Sequence, residues 1–218
     1  MNLKLFFTIL STITAIAAYV PYARDIFALK TKPHAYTWLI WTITQGIGVL
    51  GIWYGGGSWA VLSLAIGTVS VFCTFLFSLK YGTKNITRSD TVILFSALCA
   101  ILVWWQLKQP LLAVVMVSVI DTLGYIPSLR KTYLEPWSET MISWLAFAAA
   151  GIFALIALHE YNLLTMIYLI AMTLANIALL SLCFFVTVRF WVAKYQEYQA
   201  SEPDLLIRMR GYKYRLDV

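Results

Sequence analysis

The chain has 218 residues and a formal net charge of +6, yet only 12% of its residues are charged while 61% are apolar, for a mean hydropathy of +0.78. That composition cannot cover a water-facing surface, which excludes a soluble globular protein and makes lipid the main solvent. The positive charge is no nucleic-acid footprint, because the basic residues cluster between hydrophobic runs and in the tail. Cys73, Cys99 and Cys183 all sit inside apolar runs, so no disulfide framework is implied. His34 and His159 lie in loops far from them in sequence, and no metal site or cofactor is expected.

Seven apolar stretches are long enough to cross a hydrocarbon core of about 30 Å, near Leu5–Tyr22, Tyr36–Tyr54, Trp59–Leu79, Thr91–Leu107, Leu111–Ile126, Thr140–Leu158 and Leu163–Val188. The first begins almost at the N-terminus but lacks a small-residue cleavage pattern, so it reads as a retained span. The runs are continuous rather than alternating, which predicts helices and not a barrel. The tail after Val188 is short, basic and aromatic. It reads as a helix leaving the membrane and then a partly disordered segment on an anionic leaflet, with a partner-binding tail as the other option.

Orientation follows from the basic residues. The first, third and fifth loops and the tail hold fourteen of the sixteen, leaving only Lys4 and Lys108 on the other side. The positive-inside rule then puts the N-terminus outside and the C-terminus in the cytosol.

The first of those loops begins a repeat. Tyr19–Trp41 matches Tyr125–Phe147 at a constant offset of 106, with identical pairs Tyr19/Tyr125, Pro21/Pro127, Arg24/Arg130, Trp38/Trp144 and Leu39/Leu145. Both copies fall at the same point of the hydropathy profile, so spans 1–3 and 5–7 read as two copies of one triplet. Three crossings are odd, so two parallel copies need an extra span between them, and span 4 serves as that inversion linker. The expected organisation is residues 1–80 as the first three-helix repeat, 81–109 as the linker, 110–190 as the second repeat and 191–218 as a basic cytosolic tail. Repeats related by an axis along the membrane normal are a recurring transporter plan, with the substrate near the midplane between them.

Tyr19-x-Pro21, a short run, Lys30-Thr31-Lys32 and then Thr37-Trp38 resemble the PQ-loop motif of the PQ-loop/SWEET/SemiSWEET superfamily of membrane carriers, whose larger members have a 3+1+3 helix plan. The likeness spans roughly residues 3–190. The glutamine that names the motif is replaced by Tyr22 and Ser128, and Lys-Thr-Lys has no counterpart in the second copy, which has Pro136-Trp137-Ser138. The resemblance implies a carrier of a small polar solute (sugar, amino acid or vitamin-like) in which Pro21 and Pro127 kink spans 1 and 5 as gating hinges, with Gly124 loosening span 5 further. Proline in a helix removes a backbone donor and clashes with the preceding turn, so a break is physically reasonable, although a plain helix end at each proline is the alternative. The competing class is a non-transporting receptor of the same fold. The nearly neutral outer loops tilt against it.

Within the spans, Asp121 is the one acidic or basic residue well inside the apolar region. A carboxylate there costs about 3 kcal/mol on insertion scales and needs a partner or a polar cavity. Ser118, Asp121, Thr122 and Tyr125 share one face by helical spacing. Asp121 therefore reads as a proton carrier, as a direct substrate ligand, or as a structural carboxyl bonded to Tyr or Ser. Trp38, Trp41, Thr42 and Gln45 share a face of span 2 and suit a flat or sugar-like solute, unless Trp38 belongs to the interfacial aromatic belt. In the family's sugar carriers, asparagines on the third helix of each repeat face the pocket, and Asn176 resembles that position. Its partner at the 106 offset is Ser70, and interhelical bonding would also explain an asparagine there. Gly46, Gly48, Gly51 and Gly67 read as helix-packing residues. No catalytic triad, metal motif or acid pair appears, so an enzyme is not expected. Expected partners are a small-molecule substrate and the lipid bilayer, with self-association an open option and no nucleic acid.

Overall fold

Apolar runs bounded by charged and glycine-containing loops become helices in the computed structural model, which describes residues 3–57, 59–83, 86–107 and 109–213, with side chains except at 60, 97, 100, 101, 103–107, 110 and 200–213. The seven helices are α1 (Leu3–Phe27), α2 (Ala35–Tyr54), α3 (Ala60–Tyr81), α4 (Arg88–Leu107), α5 (Pro110–Leu134), α6 (Met141–Ala157) and α7 (Leu163–Lys213), with a 3₁₀ turn at Pro136–Ser138 and no strand among the described residues. Stretches of α1, α2, α3, α5 and α7 are long and apolar enough to cross a bilayer, and α6 adds a shorter apolar helix of 17 residues. The chain is thus a multi-pass helical membrane protein. Lys108 lies outside the described residues.

The molecule is turned inside out relative to a water-soluble one. Large apolar side chains such as Ile13, Val69, Phe95 and Val119 are exposed, while Thr8, Ser11, Thr44, Ser63, Asp121, Thr173 and Asn176 are buried. Lipid is a poor solvent for hydroxyls, so most of them turn onto their own helix. Thr8, Thr42, Thr74 and Ser118 each donate to the carbonyl four residues earlier, at 2.6–2.9 Å.

The six helices other than α4 close into a ring. In the first half α3 packs between α1 and α2, and in the second half α7 packs between α5 and α6; the halves meet where α1 lies on α6 and α2 on α5. The helix α4 lies outside the ring, against α5 and α2.

Helix ends depart from the apolar limits in two places. Both α1 and α5 run past Pro21 and Pro127, continuing to Phe27 and Leu134, so neither proline ends its helix. Hydropathy falls where Arg24, Asp25, Arg130 and Lys131 begin, but main-chain hydrogen bonding does not require apolar side chains. Chain reversal after α1 comes instead at Leu29, whose φ of 56° is left-handed, with the Lys30 and Thr31 amides bonded back to the Asp25 carbonyl. At the other end, α7 is 51 residues long, about 77 Å at 1.5 Å per residue. The segment expected to be partly disordered is helical as far as Lys213.

Candidate functional site

The centre of the ring holds a narrow cavity of about 60 Å³. Both halves line it. Tyr19 and Tyr125, Trp38 and Trp144, Trp41 and Phe147, Gln45 and Gly151, and Ser63 and Leu169 all border it, and each pair is related by the offset of 106.

Its two ends differ in character. Toward the ends of α1 and α5 that carry Arg24 and Lys131, aromatic rings pack at tilted and edge-to-face angles into a floor. Ring centroids lie 4.5 Å apart for Trp41–Tyr125, 5.1 Å for Trp38–Trp41 and 6.1 Å for Trp41–Trp144. Tyr22 seals this floor from below, 5.2 Å from Trp38 and 6.1 Å from Trp144. The opposite end is lined by Ser11, Ala15, Ser63, Ala150 and Ala154. There Ser11 donates to the Ala150 carbonyl at 2.8 Å and shares a 2.7 Å bond with Ser63, tying α1 to α6 and α3.

Of the residues singled out from sequence, Trp38, Trp41, Gln45, Tyr125 and Asn176 meet at this cavity, and Trp38 is buried there. Tyr125 donates to Asn176 Oδ1 at 2.8 Å across α5 and α7. The Gln45 side chain forms no hydrogen bond among the described residues and borders the cavity beside Gly67.

Asp121, Ser118 and Ser70 do not border it. Ser118 and Ser70 are spent on the carbonyls of Val114 and Ile66, and Thr122 is exposed. Asp121 is 2% exposed and turns instead toward α2 and α7. Its Oδ1 accepts from the hydroxyls of Thr44 and of Tyr168, the latter at 3.0 Å. Its carbonyl accepts the Trp41 indole N–H at 3.2 Å. The carboxylate therefore stands one residue behind the cavity wall, joining α2 of one half to α5 and α7 of the other. Helical spacing identified the face of α5 correctly but could not say that this face is wide enough to look at a neighbouring helix as well as at the cavity. Tyr168 carried no signal in the sequence.

Two glycines make this junction possible. A Cβ on Gly124 would stand 2.9 Å from Trp41 Nε1, and one on Gly48 would stand 2.8 Å from the Tyr168 ring. Gly124 thus seats the Trp41 indole against α5, whatever else it does for α5. Gly51 is tighter still, against Val114. Gly46 meets nothing within 4 Å and Gly67 only Gln45 at 3.8 Å, so the expected packing role does not extend to those two.

Below the aromatic floor, polar groups tie the two halves together. Thr31 and Thr140 share a 2.9 Å hydrogen bond, and Thr140 donates to Asp25 Oδ2 at 2.9 Å. Within the second half, Lys131 pairs with Glu139 at 2.6 Å, and Glu139 accepts the Trp144 indole N–H at 3.1 Å. Asp90, at the start of α4, lies 3.3 Å from Arg130 of α5 and 3.2 Å from His34 Nε2, the latter too far off the N–H direction for a hydrogen bond. Burial holds the His34 imidazole below its ordinary range, with Asp90 opposing that shift. Burial pushes the Asp90 carboxyl up, but the amide and hydroxyl of Thr87 and the His34 and Arg130 charges outweigh it and hold the group below the usual carboxylate range. At the far end, Lys4 bonds the Ile156 carbonyl at 2.9 Å and Tyr161 at 2.7 Å, and Asn162 bonds the Gly55 carbonyl at 2.9 Å.

Comparison with family models, with curated proteins and with solved structures returned no match.

Proposed function

We propose that this chain is a membrane carrier that moves a small polar solute by alternating access between two helix triplets, α1–α3 and α5–α7, with α4 as the inversion linker. The observation that carries the reading is the central cavity, bordered by both halves through residues related by one sequence offset. A site between two similar halves can open to either side as one half rocks against the other. The matching order of helices in the two halves, with the third element between the other two, supports a duplicated plan of the PQ-loop/SWEET kind. Polar ties between the halves exist above and below the cavity, so the conformation at hand corresponds to an occluded state in this scheme.

Pro21 and Pro127 act as the hinges. Each lies within its helix, six or seven residues before the end, where a lost backbone bond lets the lower segment swing. Asp121 is the proton site in this scheme, acting through Trp41 and Thr44 rather than by touching the solute. The N-terminus is outside and the basic tail cytosolic, in a plasma or inner membrane.

Uptake by proteoliposomes tests the proposal, using a mixed panel of sugars, amino acids and vitamin-like solutes at two pH values. Saturable uptake of at least one member is expected. Failure of every member with folded, correctly oriented protein would overturn transport and favour the non-transporting receptor.

A further inference from the structure

The last helix is far longer than a bilayer requires, and its outer part is bare. A hydrocarbon core of about 30 Å takes roughly 20 helical residues, whereas α7 runs unbroken for 51. Arg189 interrupts its apolar run, and the next residue, Phe190, has its ring 5.5 Å from that of Trp137 in the 3₁₀ turn after α5. Every residue from Val188 to Gln199 is exposed, and the helix continues to Lys213, about 35 Å past Phe190 at 1.5 Å per residue. Such a helix is marginal by itself in water, because helices in proteins draw most of their stability from a packed apolar face.

Its exposed apolar side chains follow one register. Phe184, Val188, Trp191, Tyr195 and Tyr198 are all exposed and are spaced 4, 3, 4 and 3 residues apart. The sequence keeps that register through Glu202, Leu205, Met209 and Tyr212, and of these nine positions only Glu202 is charged. Lys194, Gln196, Glu197 and Gln199 flank the stripe, and Pro203 falls outside it. A mean spacing of 3.5 residues sustained over four heptads marks the narrow seam of helices coiled on one another, whereas a helix laid on a core or on lipid needs a broader stripe.

Headgroups do not account for the seam. Trp191 sits where an interfacial aromatic would, but Tyr195 and Tyr198 stand about 8 and 12 Å past Phe190 along the axis, beyond a headgroup layer of about 5–7 Å. A helix continuous with a membrane span also cannot lie flat on the leaflet.

A second copy of the chain meets the geometry directly. The bias of basic residues to one side gives every copy the same orientation. Two α7 helices in one membrane are therefore parallel, and a two-fold axis along the membrane normal sets like residues at the same height. Within the bilayer, Phe184 borders an open apolar groove of about 660 Å³ between α6 and α7, with Ile142 and Leu145 across from it. The seam thus runs into a hole beside its own first knob.

We infer that α7 pairs in parallel with α7 of a second copy of this chain, along the seam from Phe184 through Tyr198 to Tyr212. The transport reading does not enter this inference. Glu202 provides an internal check, because two copies of it fall in one layer of the seam, an arrangement that fixes alignment at a cost in strength.

The test uses the purified full-length chain, by light scattering in detergent and by disulfide crosslinking in proteoliposomes. A protein mass of twice 24.7 kDa is expected. The double variant Tyr195→Lys with Tyr198→Lys should reduce it to the single-chain mass at an unchanged thermal midpoint, and Glu202→Leu should tighten the dimer about tenfold. In a chain whose Cys73, Cys99 and Cys183 are replaced by Ala, mild oxidation should link Tyr195→Cys and Tyr198→Cys into dimers. Ala193→Cys and Gln196→Cys, off the seam, should stay unlinked. Equal crosslinking at all four positions overturns the inference, as does a dimer that survives the double lysine variant. A protein that is monomeric at every concentration and unlinked in the membrane also overturns it, and a tail shielded from trypsin only in vesicles containing phosphatidylserine would then make the stripe a lipid-binding face.

Discussion

Asp121 is buried behind the cavity wall and bonded to helices of both halves. It accepts two hydroxyl bonds through one oxygen and holds the Trp41 indole through its own carbonyl. Changing Tyr168 to Phe removes one of those donors and should cost about 0.6–2 kcal/mol, read from chemical or thermal unfolding in detergent. Asp121→Asn separates charge from shape, since the amide oxygen can still accept from Thr44 and Tyr168. If Asp121 carries the coupling proton, this variant loses pH-driven uptake and keeps exchange. Loss of both, or of neither, would remove Asp121 from the coupling scheme. Gly124→Ala sets a methyl group within 2.9 Å of the Trp41 nitrogen. It should shift tryptophan emission and weaken ligand binding together, whereas a wild-type spectrum with wild-type binding would show that Trp41 does not need that seat.

At the scale of elements, the helices were legible because lipid dictates them. A long apolar run has one stable form in hydrocarbon, so their number and order could be read directly. Their ends could not, because Arg24–Phe27 and Pro127–Leu134 are helical on main-chain hydrogen bonds that hydropathy does not register. The continuation past Pro21 and Pro127 is what a hinge requires. Replacing both with Ala should lower the transport rate severalfold while the yield of folded protein stays near wild type. Unchanged uptake kinetics would remove the hinge.

The loop before α2 and the start of α4 form a second element-level device, where His34, Asp90 and Arg130 meet with Thr87 and, further off, Lys131. Both His34 and Asp90 titrate below their ordinary ranges when folded. The unfolded chain therefore binds more protons than the folded one as the medium acidifies. The His34 contribution is complete above its unfolded value of about 6.5 and is lost as pH falls through the lowered folded value, with that of Asp90 following in stronger acid. Thermal midpoints should fall between pH 7.5 and pH 5, and His34→Gln should flatten that slope. An unchanged slope in His34→Gln would assign the acid sensitivity elsewhere.

For the whole molecule, the offset of 106 carried more than any local motif. It linked Tyr19 to Tyr125 and Trp38 to Trp144 before either pair could be given a location, and all four border one cavity. Helical spacing within α2 then led to Trp41 and Gln45. Interactions between elements with no common spacing stayed hidden, among them the Thr44 and Tyr168 bonds to Asp121 and the Glu139 bridge from Lys131 to Trp144. No pattern in a single sequence connects residues that only tertiary packing brings together.

Alternate opening of the proposed transport cavity to the two sides of the membrane can be tested without knowing the solute. In a chain whose Cys73, Cys99 and Cys183 are replaced by Ala, a cysteine at Ala15, which borders the cavity and is 8% exposed, is treated with a membrane-impermeant thiol reagent in right-side-out and inside-out vesicles. Labelling from both faces is expected. Labelling from one face only would contradict alternating access.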